Sequence, residues 1–411
     1  MTKQIWLILI IILLVAIFSP IIYWQTASRG NVNTPLFFGV SFGGKTSSEA
    51  KLLIDKVEGY TNFFLVNSWD LSINETALNE VCDYAAKADL SFIVFFDFIS
   101  LDPVQGYTWH REWVATAEER WGDEFLGIYL YDEPGGKQID TGLFDEFKHA
   151  RFDVRERFEN ASSYAEAADI FVTEVPKGID FEFLQNNGIT KFTSDYALYW
   201  YDYLAGYDTV FVELGWNNSS TQQIALCRGA ANMQRKEWGA IITWTYDEQP
   251  YLADGLEILD DMLTAYKAGA EYVIVFNYPV YPETNPYGIL SEEHFTVMQQ
   301  FWTYIHENPE EYGKEKGQAA FVLPKDYGWG MRWPDDSIWG LWPADSLSPV
   351  IWEKMNELIE NYGLKLDIVY NDPKFSFDQY SEVYYWNSTV NQNPIVTKNR
   401  SHSTTIMNKV I

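Results

Sequence analysis

The feature that most constrains the fold is an alternation of short apolar runs with polar stretches of helical period between residues 36 and 277. Short apolar runs predict buried strands, and their alternation with helices predicts parallel strands joined by helical crossovers. Eight such units over roughly 250 residues match a (β/α)8 TIM barrel, which we place over residues 34–310. The predicted strands are Leu36–Ser41, Asn62–Val66, Ser91–Asp97, Phe125–Tyr131, Asp169–Thr173, Asp208–Leu214, Ala240–Thr245 and Glu271–Asn277. The predicted helices include Ser48–Val57, Thr76–Ala88, Phe144–Glu159, Gln222–Lys236 and Leu256–Ala268.

A ninth extended run, Lys191–Asp195, leaves the strand count open. We assign it to an enlarged loop after the fifth strand, because the next run begins only a short distance later, at Asp208. If Lys191–Asp195 is a barrel strand instead, the later strands shift by one and the strand that carries Glu213 becomes the seventh.

The pattern changes after about residue 309. A short strand at Gln318–Val322, an amphipathic helix at Pro349–Tyr362 and strands at Leu364–Val369 and Glu382–Trp386 predict a small open α/β domain, flavodoxin-like, over residues 316–390. The polar tail over residues 391–411 is predicted to be flexible.

The N-terminus contains an almost uninterrupted apolar run, Ile5–Trp24, that is long enough to span a bilayer. A cleaved signal would have a shorter apolar stretch and a small-residue cleavage site, whereas this run ends in Tyr23 and Trp24, which suit a membrane interface. We expect a signal anchor over residues 1–30 that passes the cell membrane once, with the globular part extracytoplasmic, or secreted if the segment is cleaved. Several Asn-x-Ser/Thr sequons agree with export.

Charge and cysteine usage exclude several classes of protein. The formal net charge of −29 disfavours nucleic acid as a partner, since such binding needs a basic surface. The two cysteines cannot build a disulfide framework, and the five histidines have no metal-ligand spacing. We therefore predict neither a metal site nor a cofactor.

The most informative motif is the end of the fourth predicted strand, where Phe125–Tyr131 runs into Asp132-Glu133 and then Pro134-Gly-Gly. TIM barrels carry their functional groups at the carboxyl ends of the strands. Acids and aromatic residues follow most of the other predicted strands as well. These candidates are Trp69, Asp97, Glu174, Glu213, Trp216, Trp244, Tyr246, Glu248, Asn277 and Tyr278. Acids with aromatic faces around one mouth suit glycosidic cleavage, which needs two carboxyl groups and a surface on which sugar rings stack.

This arrangement resembles the glycoside hydrolases of clan A, which are TIM barrels with an acid/base Glu at the tip of strand four and a nucleophilic Glu at the tip of strand seven. The resemblance implies that Glu133 is the acid/base and Glu248, in Trp244-Thr-Tyr-Asp-Glu248, the nucleophile of a retaining enzyme acting on an oligosaccharide or polysaccharide. The segment Ala268–Tyr278 is similar to the last strand of family-42 β-galactosidases, which also carry a flavodoxin-like domain after the barrel.

The chain departs from clan A at Asp132, where the clan usually has Asn before the acid/base. Asp-Glu at this tip resembles N-acetylhexosaminidases that use substrate-assisted catalysis, in which Asp132 would orient the acetamido group and Glu133 would act as the acid. Glu213 is the alternative to Glu248 as the second carboxylate. A non-catalytic carbohydrate-binding protein of the cell envelope is a third hypothesis. A lyase or metal hydrolase would require Asp97, Glu174 and Glu213 to converge.

Overall fold

The computed structural model describes residues 36–97, 99–100, 103–104, 106–141, 157–174, 179–216, 218–278, 288–387 and 395–396. The predicted anchor over residues 1–30 lies outside these ranges, as do most of the predicted helix at 144–159 and the tail over 391–411 apart from Ile395–Val396. Within the described ranges, no helix is both long and apolar enough to cross a membrane.

Eight parallel strands close into a barrel in chain order, which confirms the predicted barrel. The ring closes where β1 pairs with β8, with Phe37 opposite Tyr272. Apolar runs such as Phe63–Val66 form these strands because the interior covers one face and the helices cover the other. The strands are β1 Phe37–Phe42, β2 Phe63–Val66, β3 Ser91–Phe96, β4 Phe125–Leu130, β5 Lys191–Asp195, β6 Thr209–Leu214, β7 Glu237–Ile242 and β8 Tyr272–Val275.

The helices of the barrel begin at side chains that cap free backbone amides. Thr46 and Glu49 form a capping box at the start of α1, and Asp254 accepts hydrogen bonds from the amides of Leu256 and Glu257 at the start of α10, both 3.0 Å. The helices are α1 Ser47–Val57, α2 Trp69–Ser72, α3 Glu75–Lys87, α4 His110–Trp121, α5 Pro134–Thr141, α6 Tyr164–Glu174, α7 Ile179–Asn186, α8 Tyr199–Ala205, α9 Ser220–Gln234, α10 Gly255–Ala268 and α11 Glu292–Glu307.

The fifth strand was wrongly predicted. Asp169–Thr173 lies inside helix α6, and the extended run Lys191–Asp195 is β5, which pairs with β4 and β6. The buried residues of α6 include Ala167, Ile170, Phe171 and Glu174, a helical spacing that a short apolar run hides. Because β5 replaces the predicted strand rather than adding to it, the later strands keep their numbers and Glu213 lies on β6.

The barrel interior is filled by buried apolar side chains whose positions alternate along the strands. They are Phe63, Leu65, Ile93, Tyr129, Phe192, Phe211, Ile241, Tyr272 and Ile274. Successive strand residues point to opposite faces, so the residue two positions further on faces the same interior. The next inward positions at the carboxyl ends are Asn67, Phe95, Ser194, Glu213, Thr243 and Phe276. This layer forms the floor of the barrel mouth.

A second sheet follows the barrel, with the strand order β10-β9-β11-β12. Its elements are β9 Ala319–Leu323, helix α12 Ser348–Tyr362, β10 Leu366–Tyr370, β11 Glu382–Tyr385 and β12 Ile395–Val396, so the three predicted strands and the helix are present within a few residues. Residues from Leu36 onward belong to one compact unit that contains both sheets.

The contact between the barrel and the second sheet is close and polar. Arg228 of α9 donates a hydrogen bond of 2.7 Å to Asp367 of β10, and both side chains are buried. Asn232 and Tyr380 donate to the other oxygen of Asp367, so the buried carboxylate is well satisfied. A Cβ at Gly229 would lie 2.5 Å from the carbonyl oxygen of Ile368, which explains a glycine in the middle of α9.

Candidate active site

A cavity of about 370 Å³ lies at the carboxyl ends of the barrel strands. Its lining includes the whole inward layer described above, with residues of the strand tips as its walls. The complete lining is Asn67, Trp69, Phe95, Tyr129, Asp132, Glu133, Ser194, Glu213, Trp216, Ile241, Thr243, Trp244, Phe276 and Tyr278. Of the residues predicted from the sequence, the structure therefore brings together Trp69, Asp132, Glu133, Glu213, Trp216, Trp244 and Tyr278.

The tip of β4 has an unusual backbone. Tyr131 and Glu133 have φ angles of +56° and +53°, in the left-handed region that residues other than glycine rarely adopt. Neighbouring β5 fixes this conformation, because Thr193 Oγ1 donates to the carbonyl of Tyr131 at 2.6 Å and the amide of Glu133 donates to the carbonyl of Ser194 at 3.2 Å. Strained backbone held by its surroundings is characteristic of functional sites.

The helix that follows this tip, α5, is anchored by Asp195 at the end of β5. The buried carboxylate of Asp195 accepts hydrogen bonds from the amides of Gly135 at 2.6 Å and Gly136 at 2.7 Å, and also from those of Tyr196 and Ala197. A Cβ at Gly136 would lie 2.2 Å from the ring of Tyr196. The Pro-Gly-Gly sequence thus ends the strand and also permits the close approach of α5 to Tyr196. This packing places Glu133 over the pocket.

Glu133 and Glu213 form a directly interacting pair of carboxyl groups. Both side chains line the pocket and the charge of Glu213 raises the pKa of Glu133, while Ser194 Oγ donates a hydrogen bond of 2.6 Å to Glu213 Oε1. Burial raises the pKa of Glu133 far above its usual range, with further rises from Glu213 and Asp132, while Lys137 lowers it. Burial also raises the pKa of Glu213, followed by the charge of Asp132. The pair therefore holds at least one proton at neutral pH.

Asp132 is the third carboxylate of the pocket and has a different environment. It is half-buried, Oδ1 accepts a hydrogen bond of 2.5 Å from Tyr129 Oη, and Oδ2 lies 3.2 Å from Lys137 Nζ. The ammonium of Lys137 is also 3.6 Å from Glu133. Burial raises the pKa of nearby Asp97 to about 6, against the lowering effect of Lys137. Lys137 thus lies close to both carboxyl groups of the β4 tip, those of Asp132 and Glu133. Asp97 does not line the pocket.

The walls of the pocket carry exposed aromatic side chains. Trp69 and Trp216 are each 43% exposed and Tyr278 is 45% exposed, high values for such large apolar groups. Trp244 is held edge-on against Tyr251, with ring centroids 5.1 Å apart. Flat apolar faces beside acids form the kind of surface against which a sugar ring can stack.

Besides Asp97, four of the predicted residues lie away from this lining. Glu248 is exposed on the loop that follows β7, where its carbonyl accepts a hydrogen bond from the amide of Tyr251. Tyr246 is exposed and lines a separate cavity of about 550 Å³. Glu174 is buried at the end of α6 and pairs with Arg157 at 2.7 Å, so it is not at a strand tip. Asn277 is buried and its Oδ1 accepts from the amides of Ile289 and Leu290.

Sequence reasoning missed Tyr129, Lys137, Ser194 and Asp195. Tyr129 and Ser194 belong to the inward-facing series, so the two-residue period of β4 and β5 could have identified them once β5 was placed correctly. Lys137 is one helical turn after Glu133, a spacing that brings the two side chains together. Among the described residues, no group of three His, Cys, Asp or Glu is arranged to hold a metal ion, so Asp97, Glu174 and Glu213 do not converge as the ligands that a metal hydrolase would require.

Comparisons with known proteins give similarity at the level of the barrel. No protein-family model and no curated protein matches the chain. Among solved structures, it is similar to the α-L-fucosidase isoenzyme 2 from Paenibacillus thiaminolyticus, with 12% identity and a TM-score of 0.49 over 85% of this chain and 59% of that one. It is also similar to the catalytic module of a family 98 glycoside hydrolase from Streptococcus pneumoniae TIGR4, crystallised with the H-disaccharide blood group antigen, with 9% identity and a TM-score of 0.42 over 83% of this chain and 66% of that one.

A barrel of different chemistry, 3-hexulose-6-phosphate synthase, matches with 12% identity and a TM-score of 0.33, over 65% of this chain and 99% of that one. This protein spans less than two thirds of the length of the fucosidase. Similarity this distant says nothing about activity, since one barrel hosts many reactions.

Proposed function

We propose that this protein hydrolyses glycosidic bonds with retention, with Glu133 as the acid/base and Glu213 as the nucleophile. The observation that carries the proposal is the interacting pair of carboxyl groups, Glu133 and Glu213, in one pocket with exposed aromatic walls. Glu213 takes the role that the resemblance to clan A gave to Glu248. In this protein the second carboxylate would come from strand six, a departure from the clan A layout.

The closeness of the two carboxyl groups favours retention over inversion. Inverting enzymes keep their carboxyl groups about 6.5–9.5 Å apart to hold a water molecule between them, whereas retaining enzymes keep them about 5–5.5 Å apart. The interaction of Glu133 with Glu213 within one pocket favours the closer spacing. A sugar entering the pocket would separate the pair and place its anomeric carbon beside Glu213.

The electrostatics match the two roles. The acid must carry a proton near neutral pH, and burial with two neighbouring carboxyl groups raises the pKa of Glu133. The hydrogen bond from the hydroxyl of Ser194 lowers the pKa of Glu213 against the effect of burial. This hydrogen bond favours the charged form of Glu213, as its proposed role of nucleophile requires.

A second candidate is substrate-assisted hydrolysis of an N-acetylhexosaminide. The environment of Asp132 favours it, since Tyr129 and Lys137 hold this carboxylate beside the proposed acid with its side chain partly open to the pocket. In that mechanism Asp132 orients the acetamido group of the substrate and Glu213 only binds it. The requirement for an acetamido group separates the two mechanisms.

The test is hydrolysis of a panel of aryl and alkyl glycosides, including poor leaving groups and N-acetylhexosaminides, with proton NMR of the first anomer released. We expect retention, and Glu133→Gln should lower kcat/KM on poor leaving groups by about 10²–10⁴-fold. In the Glu213→Gly variant, azide should restore turnover and form a glycosyl azide. Inverted product would overturn the assignment. Activity confined to N-acetylhexosaminides and unaffected by Glu213→Gly would select the second candidate. Sugar binding without hydrolysis would select a carbohydrate-binding protein.

The N-terminal sequence bears on the cellular location of the protein. We infer an extracytoplasmic enzyme attached to the cell membrane by residues 1–30, on the basis of the apolar run Ile5–Trp24. Membrane fractionation of the full chain and of a chain lacking residues 1–30 tests it. Recovery of both chains in the same soluble fraction would contradict the anchor.

A further inference from the structure

A continuous chain of short hydrogen bonds connects Asp132 to Glu213 beneath the pocket. Tyr129 Oη lies 2.5 Å from Asp132 Oδ1 and 2.8 Å from Ser194 Oγ, and Ser194 Oγ lies 2.6 Å from Glu213 Oε1. Tyr129 and Ser194 are 1% and 3% exposed, so bulk water does not compete for these contacts. The two hydroxyl groups are thus committed to one path between two carboxyl groups.

The chain requires one more proton than its hydroxyl groups supply. Three contacts need three protons between oxygen atoms, whereas Tyr129 and Ser194 each bring one. The third proton must come from one of the terminal carboxyl groups. With the proton on Glu213, every bond runs in one direction, from Glu213 through Ser194 and Tyr129 to Asp132. With the proton on Asp132, every bond runs in the opposite direction.

We propose that Ser194 and Tyr129 form a proton-transfer chain that moves the proton of Glu213 to Asp132 and so ionises the nucleophile without release of a proton to solvent. Glu213 Oε1 gives its proton to Ser194 Oγ, Ser194 gives its former proton to Tyr129 Oη, and Tyr129 gives its own to Asp132 Oδ1. One O–H bond breaks and one forms at each hydroxyl, and the net charge of the pocket is unchanged. This proposal rests on the proposed function, in which Glu213 attacks the sugar.

Two features favour this role. Both states of the chain satisfy the same three hydrogen bonds, so the proton can move without any rearrangement of side chains. The positive charge that develops on the sugar beside Glu213 favours the state in which Glu213 is ionised and Asp132 carries the proton. Burial, which raises the pKa of Glu213, makes direct loss of its proton to solvent unfavourable near neutral pH.

The charged and titratable groups around the chain have opposing effects. Lys137 lies beside Asp132 and favours the state with the proton on Glu213. The remaining groups coupled to the chain are Glu133, Asp195, Asp97 and Tyr199. Burial, Asp132 and Asp195 raise the pKa of Glu213, whereas Ser194 and Glu133 lower it. Because burial has the largest effect, ionisation of Glu213 depends on a nearby acceptor for its proton.

The first arm of the test is kinetic and uses Tyr129→Phe and Ser194→Ala. Without the chain, Glu213 must lose its proton to solvent, so kcat/KM should fall about 100-fold near pH 6 and less than about fivefold near pH 9. The double variant should be no slower than either single variant, because a chain broken once is already broken. Tyr266→Phe is the control, since Tyr266 is buried and donates to the carbonyl of Asn308 at 3.0 Å, away from the pocket lining. Equal losses at every pH, or additive losses in the double variant, would overturn the chain in favour of a packing role.

The second arm needs no substrate. Infrared spectra of the folded protein near pH 7 should show a protonated-carboxyl band that Glu213→Gln reduces, and Tyr129→Phe and Ser194→Ala should each shift this band while Tyr266→Phe leaves it in place. Absence of the Glu213-dependent band, or a band indifferent to Tyr129 and Ser194, would overturn the chain even if the protein hydrolyses glycosides. If no glycoside is hydrolysed but the band shifts as expected, the proposed function fails and the shared proton stands.

Discussion

Glu213 and Glu248 both follow apolar strands of one barrel, yet they have opposite environments. Glu213 lies within β6, is 6% exposed, and contacts Ser194 and Glu133. Glu248 lies six residues beyond the end of β7 at Ile242, in an exposed turn. The sequence around Glu248 has the more conspicuous motif, whereas the position of Glu213 has the geometry of a site residue.

The direction in which a strand residue points therefore matters more than its proximity to the end of a strand. Phe211 faces the barrel interior, so Glu213, two residues later in the same strand, must face it as well. β7 ends at Ile242, and Thr243 is the last residue that follows its alternation. In the loop beyond, the period of two no longer determines where a side chain points. An acid among the last two residues of a strand is therefore a stronger candidate for the active site than an acid in the loop that follows.

The largest expected effect comes from exchanging these two acids for amides. Glu213→Gln should lower kcat/KM on the order of 10⁴-fold, because the nucleophile is lost, while Glu248→Gln should change it less than about threefold. The measurement is steady-state kinetics on the best substrate of the glycoside panel, with circular dichroism to establish that both variants are folded. A severe loss in Glu248→Gln with a mild one in Glu213→Gln would reverse the comparison and restore the clan A assignment.

The barrel was predictable because its signal repeats along the chain. Runs such as Phe63–Val66 and Phe125–Leu130 are too apolar for anything but buried strands, and turn or capping residues bound them. The fifth strand was not predictable from the run itself. Asp169–Thr173 and Lys191–Asp195 are both short, and only pairing with β4 and β6 shows that the second completes the sheet. Closure of a barrel is a long-range property that no local window contains.

The site was predictable in part for the same reason. Asp132, Glu133 and the aromatic residues at the tips follow from the rule that barrels present function at the carboxyl ends of strands. The partners that give the acids their properties come from neighbouring strands. From β5, Ser194 contacts Tyr129 of β4 and Asp195 contacts Gly135 beyond the β4 tip, and no local spacing connects residues 65 and 60 positions apart. The pairing of Glu133 with Glu213 required the register of β4, β5 and β6.

Gly136→Ala should have a smaller effect on activity. It changes the helix α5 that follows Glu133 in the pocket. Alanine normally stabilises a helix relative to glycine by about 0.5–1 kcal/mol. At Gly136, however, the new Cβ would lie 2.2 Å from the ring of Tyr196. We expect a loss of about 1–3 kcal/mol in the free energy of unfolding. We also expect at least about a tenfold loss of kcat/KM, since α5 positions Glu133.

Gly59→Ala is the matched control for that variant. Nothing lies within 4 Å of a Cβ at Gly59, and its backbone is not in the left-handed region. Urea denaturation and kinetics on both variants measure the difference. If Gly136→Ala is as stable and active as Gly59→Ala, the close packing of α5 against Tyr196 does not position the acid.

The smallest expected effect is on the pH dependence of stability, and it compares the buried acid with the exposed one directly. The pKa of Glu213 is raised in the folded state above its ordinary value of 4.5, mainly by burial. The folded state therefore binds more protons than the unfolded state above about pH 4.5, so this residue lowers stability as the pH rises through its raised pKa. Glu213→Gln removes that loss. Its free energy of unfolding relative to wild type should be on the order of 1 kcal/mol more favourable at pH 9 than at pH 5. Urea denaturation across this range should show no such trend for Glu248→Gln. Parallel curves for all three proteins would mean that Glu213 is not held protonated by the fold, and the contrast between the two strand ends would then lie in geometry alone.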